Sequence, residues 1–241
     1  MGVIQLANPT RFLKLTGAVL PWLIGASALA FAAGLYMSFF TAPPDYQQGE
    51  TVRIMFIHVP SAWIAMACYS LIALSALGTL VWRHPLADVS AKAAAPIGAA
   101  FTLLALITGS IWGKPTWGAW WVWDARLTSV LVLFFLYLGY IALWSTIEEP
   151  VRAGRAAAIL AIVGFVNIPI IKFSVDWWNT LHQPASVARV DGPAIHSSIL
   201  YPLLTMGLAF TVLFAVLLLM AMRSEVMRQR IRAMQLAEAA S

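Results

Sequence analysis

The chain has 241 residues, of which 61% are hydrophobic and only 10% charged, with a formal net charge of +5. A soluble domain carries about 25% charged residues, so this composition excludes an ordinary soluble enzyme, a disordered chain and a nucleic-acid-binding domain. What it leaves is an all-α polytopic membrane protein.

Each membrane-spanning helix needs roughly 20 apolar residues. Apolar runs that meet this need fall at about 17–40, 54–81, 93–111, 128–147, 156–175 and 197–222. Arg11 and Lys14 precede the first run, as in a signal peptide. The run is too long for one and shows no small-residue cleavage site, so it is expected to stay as the first span. The second run opens on IHVPSAW, residues 57–63, and contains Cys68, the single cysteine. One cysteine excludes an internal disulfide, a CxxC redox pair and a CxxCH haem-attachment site. The third run leads into a tryptophan-rich stretch, and the fourth stops at Glu148-Glu149-Pro150, a helix end. The fifth carries Asn167, Pro169 and Lys172; Asn167 reads as an interhelical hydrogen bond and Lys172 as a snorkelling cation. The sixth continues into 223–241, expected to be a basic helix with Val226, Met227, Ile231 and Met234 on one side. Kinks are expected at Pro21, Pro169 and Pro202. Continuous rather than alternating apolar runs exclude a β-barrel. The whole chain, 1–241, reads as a single domain of six spans.

Six spans put both termini on one side. That side holds Arg11, Lys14, Arg83, Lys92, Arg152, Arg155, Arg223, Arg228, Arg230 and Arg232, against Arg53, Lys114, Arg126, Lys172 and Arg189 on the other. The ten acidic residues split evenly. Positive charge favours the cytoplasm, so both termini are expected inside and the loops 41–53, 112–127 and 176–196 outside. Trp112, Trp117, Trp120, Trp121, Trp123, Trp177 and Trp178 then lie at the outer face, with His58, His182 and His196. His84 falls on the inner side.

Residues 112–129, WGKPTWGAWWVWDARLTS, hold five tryptophans followed by Asp124 and Arg126. Tryptophan anchors at the headgroup level, but anchors scatter, whereas these cluster with Gly113, Pro115 and Gly118 in a shaped loop. A dense aromatic shelf suits a large, flat, apolar ligand, because indoles stack on π-systems with about 0.5–1.5 kcal/mol per pair beyond area burial. Arg126 suits carboxylates on such a ligand; the plainer reading of Asp124 and Arg126 is a local salt bridge. Neutral imidazole ligates haem iron, and two outer histidines could clamp one iron. Spacing alone leaves open which pair among His58, His182 and His196.

The segments IHVPSAW, WGKPTWGAWWVWDARLTS and DWWNTLHQPAS together resemble the haem-handling superfamily that shares a tryptophan-rich outer loop. Within it, the chain is similar over its whole length to the haem exporter protein C family, CcmC, of bacterial cytochrome c maturation. The ending Trp123-Asp124-Ala125-Arg126 fits this family, whereas the larger haem lyase and synthetase-type relatives carry a proline after the aspartate. The resemblance implies a scaffold in the bacterial inner membrane that holds haem b, non-covalently and in transit, at the periplasmic face. It implies delivery to the haem chaperone CcmE, with the ABC transporter CcmA/CcmB and the small membrane protein CcmD as further partners. It places the axial iron ligands on His58 and His182 and the haem-binding loop on Trp112, Trp117, Trp120, Trp121, Trp123, Asp124 and Arg126. His196 matches no ligand role.

Two other functions compete. A transporter moving haem through its spans should show ionisable residues in the span interiors, and these are nearly charge-free. A bis-histidine cytochrome b relaying electrons across the membrane should have histidines at both depths, and only His84 lies inside. The chain has no P-loop, so ATP use would belong to another subunit.

Overall fold

The computed structural model describes residues 8–239, and among these it is all-helical. Seven α-helices follow in order: α1 (Pro9–Tyr36), α2 (Met55–Trp82), α3 (Pro85–Trp117), α4 (Ala125–Thr146), α5 (Pro150–Gly164), α6 (Asn167–Trp177) and α7 (Ser197–Ala239). Together they give six helical segments long and apolar enough to cross a membrane, with α5 and α6 sharing one. The described residues reach neither the first seven positions nor Ala240 and Ser241.

The helix ends follow local chemistry. Asn8 caps α1, its side-chain oxygen accepting from Thr10 N at 2.9 Å, and Pro9 takes the first turn, where no N–H partner is needed. His84 caps α3 by accepting from Leu86 N, so this histidine is a cap rather than a ligand. Glu149 precedes Pro150 at the start of α5, as the Glu-Glu-Pro stop predicts. The break between α5 and α6 is explained by Pro169, which has no N–H for the Phe165 carbonyl and whose ring crowds it. Asn167, at the restart, donates to Ser129 O at 2.8 Å and ties α6 to α4. Pro21 and Pro202, by contrast, lie within continuous helices.

Between spans the lipid competes for apolar contact, so packing depends on close approach and hydrogen bonds. Small residues supply the approach. Ala65, Ala94, Ala157 and Ala161 are all fully buried in a core centred on α2, which packs against α3, α5 and α7. Two tyrosines fill the middle of this core. Tyr137 donates its hydroxyl to Ala65 O at 2.7 Å, and its ring meets Tyr69 edge-on at 5.1 Å. Gly98 leaves room for Tyr137 and Gly164 for Tyr69. Cys68 is buried beside them, its thiol directed at Ala94 O, with no role beyond packing. In contrast, α1 packs mainly along α7 and leaves most of its apolar surface bare, including Trp22 and Leu29.

At the end carrying the termini, Glu225 is buried between Lys92 (2.8 Å) and Arg228 (3.1 Å). Lys92 also sits over the Trp144 ring at 4.8 Å. Arg223 reaches Thr16 Oγ1 at 2.7 Å and so joins α7 to α1. At about 1.5 Å per residue, α7 is about 65 Å long, more than twice the hydrocarbon thickness of about 30 Å. Its last turns therefore project beyond the bundle, as expected for 223–241, of which 240–241 lie outside the described residues, with Met227, Ile231 and Met234 exposed.

Candidate functional site

The opposite end of the bundle holds the site. Here α3 does not stop at 111 but continues as helix to Trp117, and Gly118, at φ +75°, ends it in the left-handed conformation glycine adopts readily. So Gly113 and Pro115 lie in helix, and the loop proper is only 118–124. Gly113 is needed where it stands, because a Cβ there would sit 3.0 Å from the Trp117 ring. The loop is tied back by Ser110, whose hydroxyl donates to Trp120 O at 2.8 Å. Asp124 then starts α4 by accepting from Leu127 N at 2.7 Å.

The extension of α3 sets one tryptophan beside each of two histidines. Trp112 meets His58 of α2 at 5.7 Å between ring centroids, nearly perpendicular. Five residues on, Trp117 meets His182 of the 178–196 loop at 6.3 Å. Both histidines line one cavity, together with Trp112, Trp117, Trp121 and Arg126. Its depths are apolar, with Ala62, Ala65, Met66, Val130, Leu133 and Ile171. Its volume of about 130 Å³ is below the roughly 300–1,000 Å³ typical of cofactor pockets.

The hydrogen bonds fix the proton on each imidazole. Thr108 Oγ1 donates its only proton to Leu104 O at 2.7 Å, so toward His58 Nδ1, 3.1 Å away, it can only accept. This arrangement favours the His58 tautomer with its proton on Nδ1. His182 Nδ1 lies 3.0 Å from Gln183 O, a carbonyl that can only accept, so it too is protonated at Nδ1. In both rings Nε2 keeps its lone pair and makes no hydrogen bond. Burial lowers the pKa of His182 from the ordinary 6.5, with Arg126 pushing the same way against the Gln183 carbonyl and Asp124. Burial thus favours the neutral imidazole.

Not every predicted site residue joins this cavity. Trp120 and Trp123 point outward, 58% and 75% exposed, although Trp123 meets Trp121 edge-on at 5.5 Å. Asp124 does not line the cavity and acts as a helix cap, with its Oδ2 buried and unpartnered. No ion pair joins it to Arg126 among the described residues, so the simple salt bridge is not what holds the loop. Instead Arg126 donates to Ser174 Oγ at 2.7 Å and to Lys172 O at 3.4 Å. Arg53 is engaged by Glu50 and Ser38 O and lies outside the cavity. His196 accepts from Ser198 N at 3.3 Å at the start of α7, a structural position.

Four contributors escaped the sequence reading. Gln48, from the first loop of this end, accepts the Trp112 indole N–H at 2.7 Å and lines the cavity. Gln183 and Thr108 hold the two histidines. Gly109 lets His58 approach α3, since a Cβ there would stand 2.9 Å from His58 Cε1. Only Gly109 left a trace in the sequence, as a glycine inside a helix, where it costs about 1 kcal/mol against alanine.

The arrangement can hold a flat metallated ring. Two neutral imidazoles offer Nε2 lone pairs to one apolar cavity. Trp121, also lining it, has a buried indole N–H with no partner, a donor suited to a ring carboxylate. Comparison with known proteins agrees with this chemistry. Residues 2–237 match the family described as heme exporter protein C. The chain is 63% identical over 239 residues to "Heme exporter protein C" of Bradyrhizobium diazoefficiens, covering 99% of this chain and 90% of the relative. It is 49% identical over 221 residues to the protein of that name from Escherichia coli K12, covering 91% and 89%. A "Putative cytochrome c biosynthesis ccmC-like mitochondrial protein" of Marchantia polymorpha is 43% identical over 220 residues, covering 91% and 93%.

Proposed function

The chain belongs to the heme exporter protein C family, and from that premise we propose that it holds haem at the periplasmic face of the bacterial inner membrane and hands it to the chaperone CcmE during c-type cytochrome maturation. The observation that carries this reading is the cavity at the tryptophan end, where His58 and His182 both present a free Nε2. The excess of basic residues at the opposite end supports a cytoplasmic side there and a periplasmic site here.

Haem b is the cargo, bound without a covalent link. His58 and His182 are its axial ligands, each fixed by a hydrogen bond from the other ring nitrogen, the usual arrangement around metal-binding histidines. Trp112 and Trp117 pack beside these rings, and Trp121 bounds the cavity between them. Trp121 Nε1 and the unspent N–H groups of Arg126 meet the propionates. Trp120 and Trp123 extend the aromatic surface outward, where the chaperone docks. Asp124 supports the site from behind by starting α4. CcmA, CcmB and CcmD complete the assembly, and ATP hydrolysis belongs to them. Passage of haem through the bundle is disfavoured, because below Leu133 and Ala65 the spans close over Tyr69 and Tyr137.

The handover is tested with purified haem-loaded protein and purified CcmE in detergent. Haem is expected to appear covalently on CcmE, with CcmA, CcmB and ATP needed only to release the loaded chaperone, and with a His182→Ala donor the transfer should fail. Transfer at the wild-type rate from that variant contradicts the reading.

Binding should depend on pH through His182. Its pKa is lowered from the ordinary 6.5, so the ring resists protonation further into acid than a free imidazole, and affinity falls only as acid overtakes the lowered value. Between the unfolded value of about 6.5 and the lowered folded value, the unfolded chain takes up a proton that the folded chain resists, so stability declines there, ahead of the fall in affinity. A haem titration at half-unit steps of pH checks this. A midpoint at or above 6.5 would mean that His182 is not the buried, neutral ligand.

A further inference from the structure

The two histidines are held by different devices. His182 leans on the carbonyl of its own neighbour, Gln183, within a loop, and its backbone N–H is taken by Thr180 Oγ1 at 2.9 Å. Nothing outside that loop fixes its ring by a hydrogen bond. His58 lies on α2 and is held from another span. Its Nδ1 meets Thr108 Oγ1, fifty residues away on α3, at 3.1 Å. The threonine hydroxyl is itself held by Leu104 O at 2.7 Å and Ala105 O at 3.3 Å, one turn back on the same helix. Its proton is committed to the backbone, so the face it shows His58 is an acceptor only.

The next residue makes the approach possible. Gly109 clears the space that a side chain would take from His58 Cε1, at 2.9 Å from the missing Cβ. The ring therefore rests on α3 at Gly109, hydrogen-bonds Thr108 and meets the Trp112 indole edge at 5.7 Å. These three contacts come from residues 108–112 of one helix. That helix is packed along α2 over much of its length, so the contacts form a rigid seat.

We propose that Thr108, with Gly109 beside it, is the positioning pair that locks His58 as its Nδ1–H tautomer and so keeps Nε2 permanently available to the iron. His58 is then the ligand held from a second span, and His182 the one held from within its own loop. The proposal rests on the ligand reading above. A neutral histidine in solution carries its proton on either nitrogen, and a ring protonated on Nε2 cannot ligate through that atom. An acceptor built into α3 removes this ambiguity before haem arrives. No bond is made or broken by Thr108 itself.

Thr108→Val keeps the size and branching of the side chain and removes the acceptor. Thr108→Ser restores the acceptor without the methyl group. Gly109→Ala keeps Thr108 and displaces the ring. The haem-free wild-type protein, labelled with ¹⁵N-histidine, should show His58 protonated at Nδ1 by NMR, assigned against His58→Gln. Thr108→Val should show a tautomer mixture, and Thr108→Ser the wild-type signal. Haem titration should give a loss of affinity of about 10–100-fold for Thr108→Val, the range found for outer-shell partners of metal ligands. Gly109→Ala should lose affinity as well, and Thr108→Ser should stay within a few-fold of wild type.

An unchanged tautomer in Thr108→Val overturns the lock. A shifted tautomer with unaltered haem affinity overturns its bearing on ligation. His58→Ala binding haem with an unchanged Soret spectrum overturns the ligand reading itself, and this proposal with it. The tautomer measurement needs no haem, so failure of the lock is seen separately from failure of the ligand assignment.

Discussion

Replacing His58 by alanine is expected to strip the purified protein of most of its haem and leave the remainder high-spin. Loss of an outer-shell partner alone weakens a metal site about 10–100-fold, and removing the ligand itself should exceed about 100-fold on the same scale. Two further arguments make the effect large. His58 is seated on two packed helices, so no neighbouring group is free to move in and replace it. The remaining lining at that depth is apolar, with Ala62, Ala65 and Leu106, and the thioether of Met66, a weaker donor, stands eight residues further along α2. Pyridine haemochrome analysis gives the haem content per protein, and the Soret position gives the spin state. A stoichiometric, low-spin haem in the variant would remove His58 from the site. His182→Ala should lose less, because the loop that carries it has neighbours, Gln183 among them, that can partly fill the space.

The second large effect lies below the site. Gly98→Ala is expected to destabilise the bundle while leaving every haem-binding group in place. A Cβ at residue 98 lands on the ring and hydroxyl of Tyr137, which is fully buried and cannot retreat. Overpacking of this kind costs about 1–3 kcal/mol, and dislodging the Tyr137 hydroxyl from Ala65 O adds about 1–3 kcal/mol for the orphaned polar groups. The apparent Tm in detergent should fall clearly, at unchanged haem stoichiometry below the transition. Tyr137→Phe in the same chain should restore only a small part of the loss, since it removes the hydroxyl but leaves the ring carbons that also meet the new Cβ. A Gly98→Ala protein as stable as wild type would show that the tyrosine core is looser than its contacts indicate.

The shortage of charge and the six apolar runs were enough to specify the spans, because each requirement is local to its own segment. The same holds for Asn167 as an interhelical hydrogen bond and for Glu-Glu-Pro as a helix end. The aromatic stretch was legible as a binding surface but not in its geometry. Glycine and proline at 113 and 115 read as loop formers, yet helix continues through them. Trp117 packs over Gly113, and Pro115 falls in the last turn, where little helix remains to lose. That continuation separates the tryptophans that meet the histidines from Trp120 and Trp123, which face outward.

The supports of the site were hidden for a different reason. Thr108 faces His58 only because α2 and α3 lie side by side, and Gln48 reaches Trp112 only because the first loop folds over the end of α3. Both pairings are long-range, and single threonines or glutamines carry no signature of them. Asp124 was legible as important, and its oxygen turns out to serve the start of α4. The choice of His58 and His182 came from family resemblance; of the four histidines these two line the cavity, and His84 and His196 do not.

The most direct test of the account is the identity of the two axial ligands in the purified, oxidised protein. Near-infrared magnetic circular dichroism with electron paramagnetic resonance distinguishes a bis-imidazole pair from histidine with methionine, with hydroxide or with water. The account predicts a bis-imidazole signature in the wild type that is lost in both His58→Ala and His182→Ala. A bis-imidazole signature that survives in the double variant, or a wild type whose second ligand is not histidine, would contradict it.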